Sequence, residues 1–169
     1  MWKKLIVCLL AAVSFYSSLD AVAAETKRTK NRKKNKHEKK IEEVVWEKDI
    51  KSAVAKAKMS KKYVLLIHIA PGLNKESKLF DQNIVKNKSL AKYSRELVFV
   101  KFEYESIKKA PKEAVEAAKM YPIEQRGNSF IMPTVYLLDG AGNVLDKKVG
   151  FQGKGPSEYI KSFKSIKKK

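Results

Sequence analysis

Cysteine is almost missing from this chain: its 169 residues include one, Cys8. A single thiol cannot close an intrachain disulfide, and a serine hydroxyl at neutral pH cannot replace a thiolate in disulfide exchange. Histidine is nearly as scarce. His37 and His68 stand far apart with no cysteine to join them, so no zinc site follows the usual ligand spacings. Long apolar runs are lacking too, because the stretch from Leu5 to Tyr16 breaks at Ser17-Ser18-Leu19-Asp20, short of the ~20 residues a membrane-spanning helix needs. A phosphate loop is also excluded. Gly150-x-x-Gly153-x-Gly155 has glycines, but no Lys-Ser/Thr pair follows them, and they come after a hairpin signal rather than between a strand and a helix.

What is present begins with a basic, apolar, small-residue N-terminus. Lys3 and Lys4 precede the apolar run, and Ala21-Val22-Ala23-Ala24 offers cleavage after Ala23 or Ala24, so residues 1–24 read as an export signal. A lipid anchor at Cys8 fits less well, since Val7 is bulky where such signals carry a small residue. The expectation is an exported protein, periplasmic or extracellular, starting near Glu25. Without cysteine, such a chain relies on its core rather than on disulfides in an oxidising compartment.

The formal net charge is +19, and most of it sits at the ends. Between Glu25 and Lys40 nine Lys/Arg face two Glu, and Lys161 to Lys169 holds five Lys and no acid. The segment 25–42 is expected to be a basic disordered arm, because its central run has no apolar residue to bury, and 166–169 a basic tail. One reading makes the arm a solvated spacer. The other makes Lys27, Arg28, Lys30, Arg32, Lys33, Lys34 and Lys36 a contact for an anionic polymer: acidic envelope lipid, polysaccharide or extracellular nucleic acid. No aromatic residue interrupts the run to stack on bases, which disfavours specific nucleic-acid recognition.

Residues 43–165 alternate strand and helix signals. Val44-Val45-Trp46 is a short β-prone run and Asp49 sits where a helix N-cap would, before Ile50, Ala53, Val54 and Ala57 at helical spacing. Tyr63 to Ala70 is nearly all apolar, as a strand covered on both faces requires. Pro71-Gly72 breaks it. Phe80, Ile84 and Val85 stripe a second helix that Asn87 ends or bends, and Leu97 to Tyr104 is a second buried strand. Pro111 opens a helix that Pro122 stops. Thr134 to Leu138 and Val144 to Val149 flank Asp139-Gly140-Ala141-Gly142-Asn143, an antiparallel hairpin signal. Pro156 opens a last helix with Tyr159, Ile160 and Phe163 inward. This order calls for an α/β fold with a mixed sheet and helices on both faces.

Three stretches carry a resemblance. The pattern Trp46…Asp49…Ala53…Ala57-Lys58 followed by Lys62-Tyr63-Val64-Leu65-Leu66, the strand and hairpin from Met132-Pro133-Thr134 to Gly142, and the glycine-rich lead Gly150 to Ile160 together resemble the bacterial exported thioredoxin-like family. The resemblance implies a thioredoxin-like fold with a Cys-x-x-Cys at the start of the second helix, opposite a cis-proline. Carried over, it puts Asn74 and Ser77 at the two cysteine positions, or Leu73 and Glu76 if the alignment slips by one. Neither pair is cysteine, so the redox activity implied for the family is not expected here.

Pro133 matches the cis-proline position, where the main chain of Met132 can pair with an extended peptide. Gly72, Leu73, Asn74, Ser77, Met132 and Pro133 are therefore the candidate groove. Beside it, the link from Ile123 to Met132 exceeds the family's usual length by Glu124-Gln125-Arg126-Gly127-Asn128-Ser129, which covers the groove or widens it. His68 either faces the former redox site with Glu76 or Ser77, or is a hydrogen-bonded packing residue. The expectation is a monomer without cofactor that binds an unidentified envelope protein or peptide, or is tethered to an anionic lipid or polysaccharide by its tails.

Overall fold

The computed structural model describes residues 43–168. The expected signal, the arm with its seven named basic residues and His37 lie outside them. The described chain runs β1 (Trp46–Glu47), α1 (Ile50–Ser60), β2 (Tyr63–Ile69), α2 (Lys75–Phe80), β3 (Leu97–Glu103), α3 (Lys112–Met120), β4 (Gln125–Arg126), β5 (Ser129–Phe130), β6 (Thr134–Leu138), β7 (Val144–Val149) and α4 (Pro156–Lys161). Five strands form one sheet in the order β1-β3-β2-β6-β7, with β1 and β2 parallel to β3 and with β6 antiparallel to both β2 and β7. This is the mixed sheet that the apolar runs anticipate.

Two core clusters form on opposite faces of the sheet. Strand side chains alternate, so Val64 and Leu66 of β2 face one way with Ile50, Ala53 and Ala57 of α1 and Ala114 and Ala117 of α3. Leu65, Ile67 and Ile69 face the other way, against Phe80 of α2, Ile84, Leu90 and the α4 residues Tyr159 and Ile160. Asp49 caps α1 as expected, its carboxylate accepting from the Ser52 N–H at 2.8 Å. The β6–β7 turn seats against the end of α1 so closely that a Cβ on Gly140 would lie 3.0 Å from the Lys58 Cα, and the α1 backbone would have to give by a few tenths of an ångström to admit it.

Three segments differ from the sequence expectation. The stripe Phe80, Ile84, Val85 is not one α-helix: a π-helical turn, Asp81–Val85, continues α2. Asn87 then caps a 3₁₀ segment, Lys88–Arg95, its side chain accepting from the Ser89 N–H. The long link before Met132 folds into the small hairpin β4–β5, turning at Gly127 with φ +58°. At the far end, the 3₁₀ turn Lys164–Lys168 carries the fold past residue 165, with Ile166 packed on the second cluster.

Candidate functional site

The site is built where β2 ends and β6 begins. Antiparallel pairing stops at His68↔Thr134, and continuing that register sets the turn after Ala70 beside Met132. The Met132–Pro133 peptide is cis. The Pro133 carbonyl accepts from the Gly150 N–H at 2.8 Å, which joins the glycine-rich lead of α4 to the same corner. A second tie comes from α2, where the exposed Glu76 accepts from the Phe151 N–H at 3.3 Å. Phe151 in turn meets Phe80 edge-on, with ring centroids 5.3 Å apart.

At the start of α2, Asn74 is the N-cap. Its side-chain oxygen accepts from the Ser77 N–H at 2.7 Å, supplying a partner to a helix donor that otherwise has none. Ser77 lies on the inner face of the helix, fully buried, and its hydroxyl has no hydrogen-bond partner among the described residues. Leu73 is 55% exposed on the preceding turn. Nothing lies within 4 Å of a Cβ built on Gly72.

The six groove residues therefore do not all stand at the surface. Ser77, Met132 and Pro133 are buried, Asn74 is half-buried, and only Gly72 and Leu73 stand exposed. The reason is packing: the Met132 side chain joins the cluster of Tyr121, Ile123 and Tyr136, and Ser77 faces inward with Phe80. What Met132 leaves open is its main chain. Neither its N–H nor its C=O has a hydrogen bond among the described residues, whereas Ile131 on one side donates to the Glu124 carbonyl and Pro133 on the other accepts from Gly150.

The inserted hairpin is anchored rather than loose. The Glu124 N–H donates to the Thr134 hydroxyl, which donates in turn to the Ile131 carbonyl, and Lys147 pairs with the Glu124 carboxylate. The hairpin raises Phe130, 38% exposed, just ahead of Met132. The sequence reading missed Phe130 and Phe151 as site residues, and named Glu76 only as an alternative cysteine position and as a partner for His68. Only the acidic residue in the first turn of α2 and the apolar residue closing the insertion could have signalled their roles.

His68 has no part in this corner. In β2 it points to the face opposite α2, so neither Glu76 nor Ser77 meets it. It is fully buried, its Nδ1 lies 2.9 Å from the Tyr104 hydroxyl, and rings of Phe102 and Tyr136 flank it. Burial lowers its pKa from 6.5 to about 4. The Tyr121 main chain opposes that shift weakly, and Nε2 has no partner of good hydrogen-bond geometry. Among the described residues no three His, Cys, Asp or Glu side chains gather closely enough to hold a metal ion, and no helix is long and apolar enough to cross a membrane.

Solved structures share the fold. One titled DsbH oxidoreductase superposes with a TM-score of 0.60 at 18% identity, over 73% of this chain and 84% of that one. A thioredoxin from Thermus thermophilus gives 0.51 at 13% identity, over 74% and 88%. The chain has a thioredoxin-like fold. A putative disulphide-isomerase from Bacteroides thetaiotaomicron matches to the same degree, with TM-score 0.51 and 19% identity over 75% and 96%. No protein-family model matches the sequence, and no curated protein matches it either. At these identities the likeness is one of fold. Within the thioredoxin-like fold the corner described above is the one the sequence resemblance singles out, and in this chain it contains no cysteine: the one thiol is Cys8.

Proposed function

We propose that this protein is an exported, redox-inactive member of the thioredoxin-like proteins that binds an extended protein segment at the corner formed by the 72–74 turn and Met132. The observation that carries the reading is the unpartnered main chain of Met132, directly ahead of β6, where the sheet ladder stops. An extended segment completes such a ladder with main-chain hydrogen bonds and gains selectivity from side-chain contacts beside it. The exposed Leu73 and Phe130 supply apolar contacts on the approach. Because Met132 itself is only 3% exposed, the segment enters from this rim and displaces part of it. Asn74 and Ser77, at the positions where the family carries cysteines, serve as helix cap and buried filler. Thiol exchange by this chain then requires thiols from a partner.

The test is capture of peptides from an envelope-protein digest by the chain starting at Glu25, compared with its Leu73→Glu and Gly72→Trp variants. Both residues are exposed, and the space around Gly72 accepts a side chain, so the fold survives either change. Loss of capture by both variants, persisting at high salt where exposed charge is screened, supports the reading. Capture indifferent to both variants but abolished by removing residues 25–42 rejects it in favour of an electrostatic tether with the fold as carrier.

A further inference from the structure

The topology that builds the Met132 corner also sets what surrounds it. β2 and β3 run parallel and β6 runs antiparallel to β2, so the ends of β2 and β3 and the start of β6 share one end of the sheet. The Tyr104 N–H donates to the Ile69 carbonyl at 2.8 Å, which keeps the chain leaving β3 beside the chain leaving β2. Three connections therefore meet this end next to one another: the turn into α2, residues 104–109, and the segment carrying the hairpin β4–β5.

Their exposed charges are unequal in sign. Lys75 and Lys78 stand three residues apart on α2 and so share one side of it, while Ser77 and Phe80 are buried. Lys108, Lys109 and Arg126 are exposed on the other two connections. None of these five cations has a carboxylate within ion-pair distance among the described residues. The acids of the same connections are fewer and mostly committed. Glu124 pairs with Lys147, Glu76 accepts from the Phe151 N–H, and Glu105 is exposed. Against Glu76 and Glu105 the five cations leave an excess of three positive charges. Elsewhere on the domain lysines have carboxylate partners of their own, Lys56 in Glu47, Lys86 in Asp81 and Lys101 in Glu103.

We propose that the extended segment taken up at the Met132 corner is acidic, an apolar residue meeting Leu73 and Phe130 and carboxylates near it pairing with Lys75, Lys78 and the cations beside them. This rests on the reading of the corner as a site for an extended segment, and adds what that segment must carry. It belongs to another protein: a second copy of this chain, at a net charge of +19, would bring more positive charge to a positive rim. Exposed ion pairs are individually weak. The charges therefore select among segments, while the Met132 main chain and the apolar rim hold them.

The experiment repeats capture from the envelope-protein digest by the chain starting at Glu25, at low salt, with every held peptide sequenced by mass spectrometry. Only peptides lost with Gly72→Trp are counted, because that variant blocks the corner without changing its charge. Among them, Asp and Glu close to an apolar residue are expected to be enriched about fivefold over the digest, as two exposed ion pairs allow. Lys75→Gln with Lys78→Gln should remove most of that enrichment. Lys58→Gln with Lys61→Gln lowers the net charge equally at the end of the sheet where β2 begins, and should leave it intact. All four side chains are exposed, so both double variants fold. Corner-dependent peptides without acid enrichment, or equal loss of enrichment in the two double variants, overturn this inference and leave the Met132 reading standing. No corner-dependent peptide at all overturns both.

Discussion

His68 is the residue whose burial has the clearest consequence. The unfolded chain protonates it near pH 6.5 and the folded protein only at about 4. Above pH 6.5 the ring is neutral in both states and leaves stability unaffected. Between 6.5 and 4 the unfolded state binds the extra proton, so stability falls as pH falls, by about 3 kcal/mol across the interval, and below about 4 the loss stops growing. His68→Phe removes the proton site and retains an aromatic filler, while the Tyr104 hydroxyl keeps its bond to the Ala114 carbonyl at 3.3 Å. Urea unfolding at a series of pH values is expected to show the wild-type loss and a nearly flat profile for the variant over the same range. Equal slopes in both would mean that His68 is hydrated or protonated in the folded protein.

At the scale of elements, the question for α2 is whether its first turn accepts a cysteine pair. Its N-cap is half-exposed and the residue three positions on is buried. In the chain from Glu25, Asn74→Cys with Ser77→Cys is therefore expected to close a disulfide on oxidation and to reduce insulin above the wild-type background. Loss of the Asn74 cap costs about 1 kcal/mol of stability. Leu73→Cys with Glu76→Cys should stay inactive, because residue 76 is exposed and its carboxylate ties α2 to Phe151. Thiol counts and insulin turbidity check both, and activity in the second pair alone would move the alignment by one residue. The elements legible in the sequence are those whose apolar pattern is one-sided or continuous: Tyr63–Ile69, Thr134–Leu138 and the Asp49-capped α1. Lys88–Arg95 was hidden because it buries only Leu90 and Ala91 among polar residues, and β4–β5 because its two strands are two residues each and exposed. The candidate corner was legible as a location but not as a surface. Pattern cannot tell that Met132 turns its side chain into the core, nor that a hydrogen bond from Phe151 reaches Glu76 across 75 residues of chain.

For the whole molecule, charge distinguishes the two ways it can hold a partner. Seven of the ten residues from Lys27 to Lys36 are Lys or Arg, while residues 43–168 carry their lysines dispersed, several of them paired with Glu or Asp. Each unpaired cation near an anionic membrane surface contributes about 1 kcal/mol, within a Debye length of roughly 8 Å at physiological salt. A run of seven is thus expected to hold the chain on acidic lipid at low salt. Co-sedimentation with phosphatidylserine-containing vesicles is expected to fall at least about a hundredfold when residues 25–42 are removed, and to fall steeply with added salt only when they are present. Leu73→Glu, far from the arm in sequence, should leave vesicle binding unchanged while abolishing peptide capture. If the arm-less chain sediments as well as the longer one, the lysines of the thioredoxin-like domain carry the attraction. A salt-insensitive association of either form would place it on apolar contact instead, with exposed residues such as Leu73 and Phe130 the first to substitute.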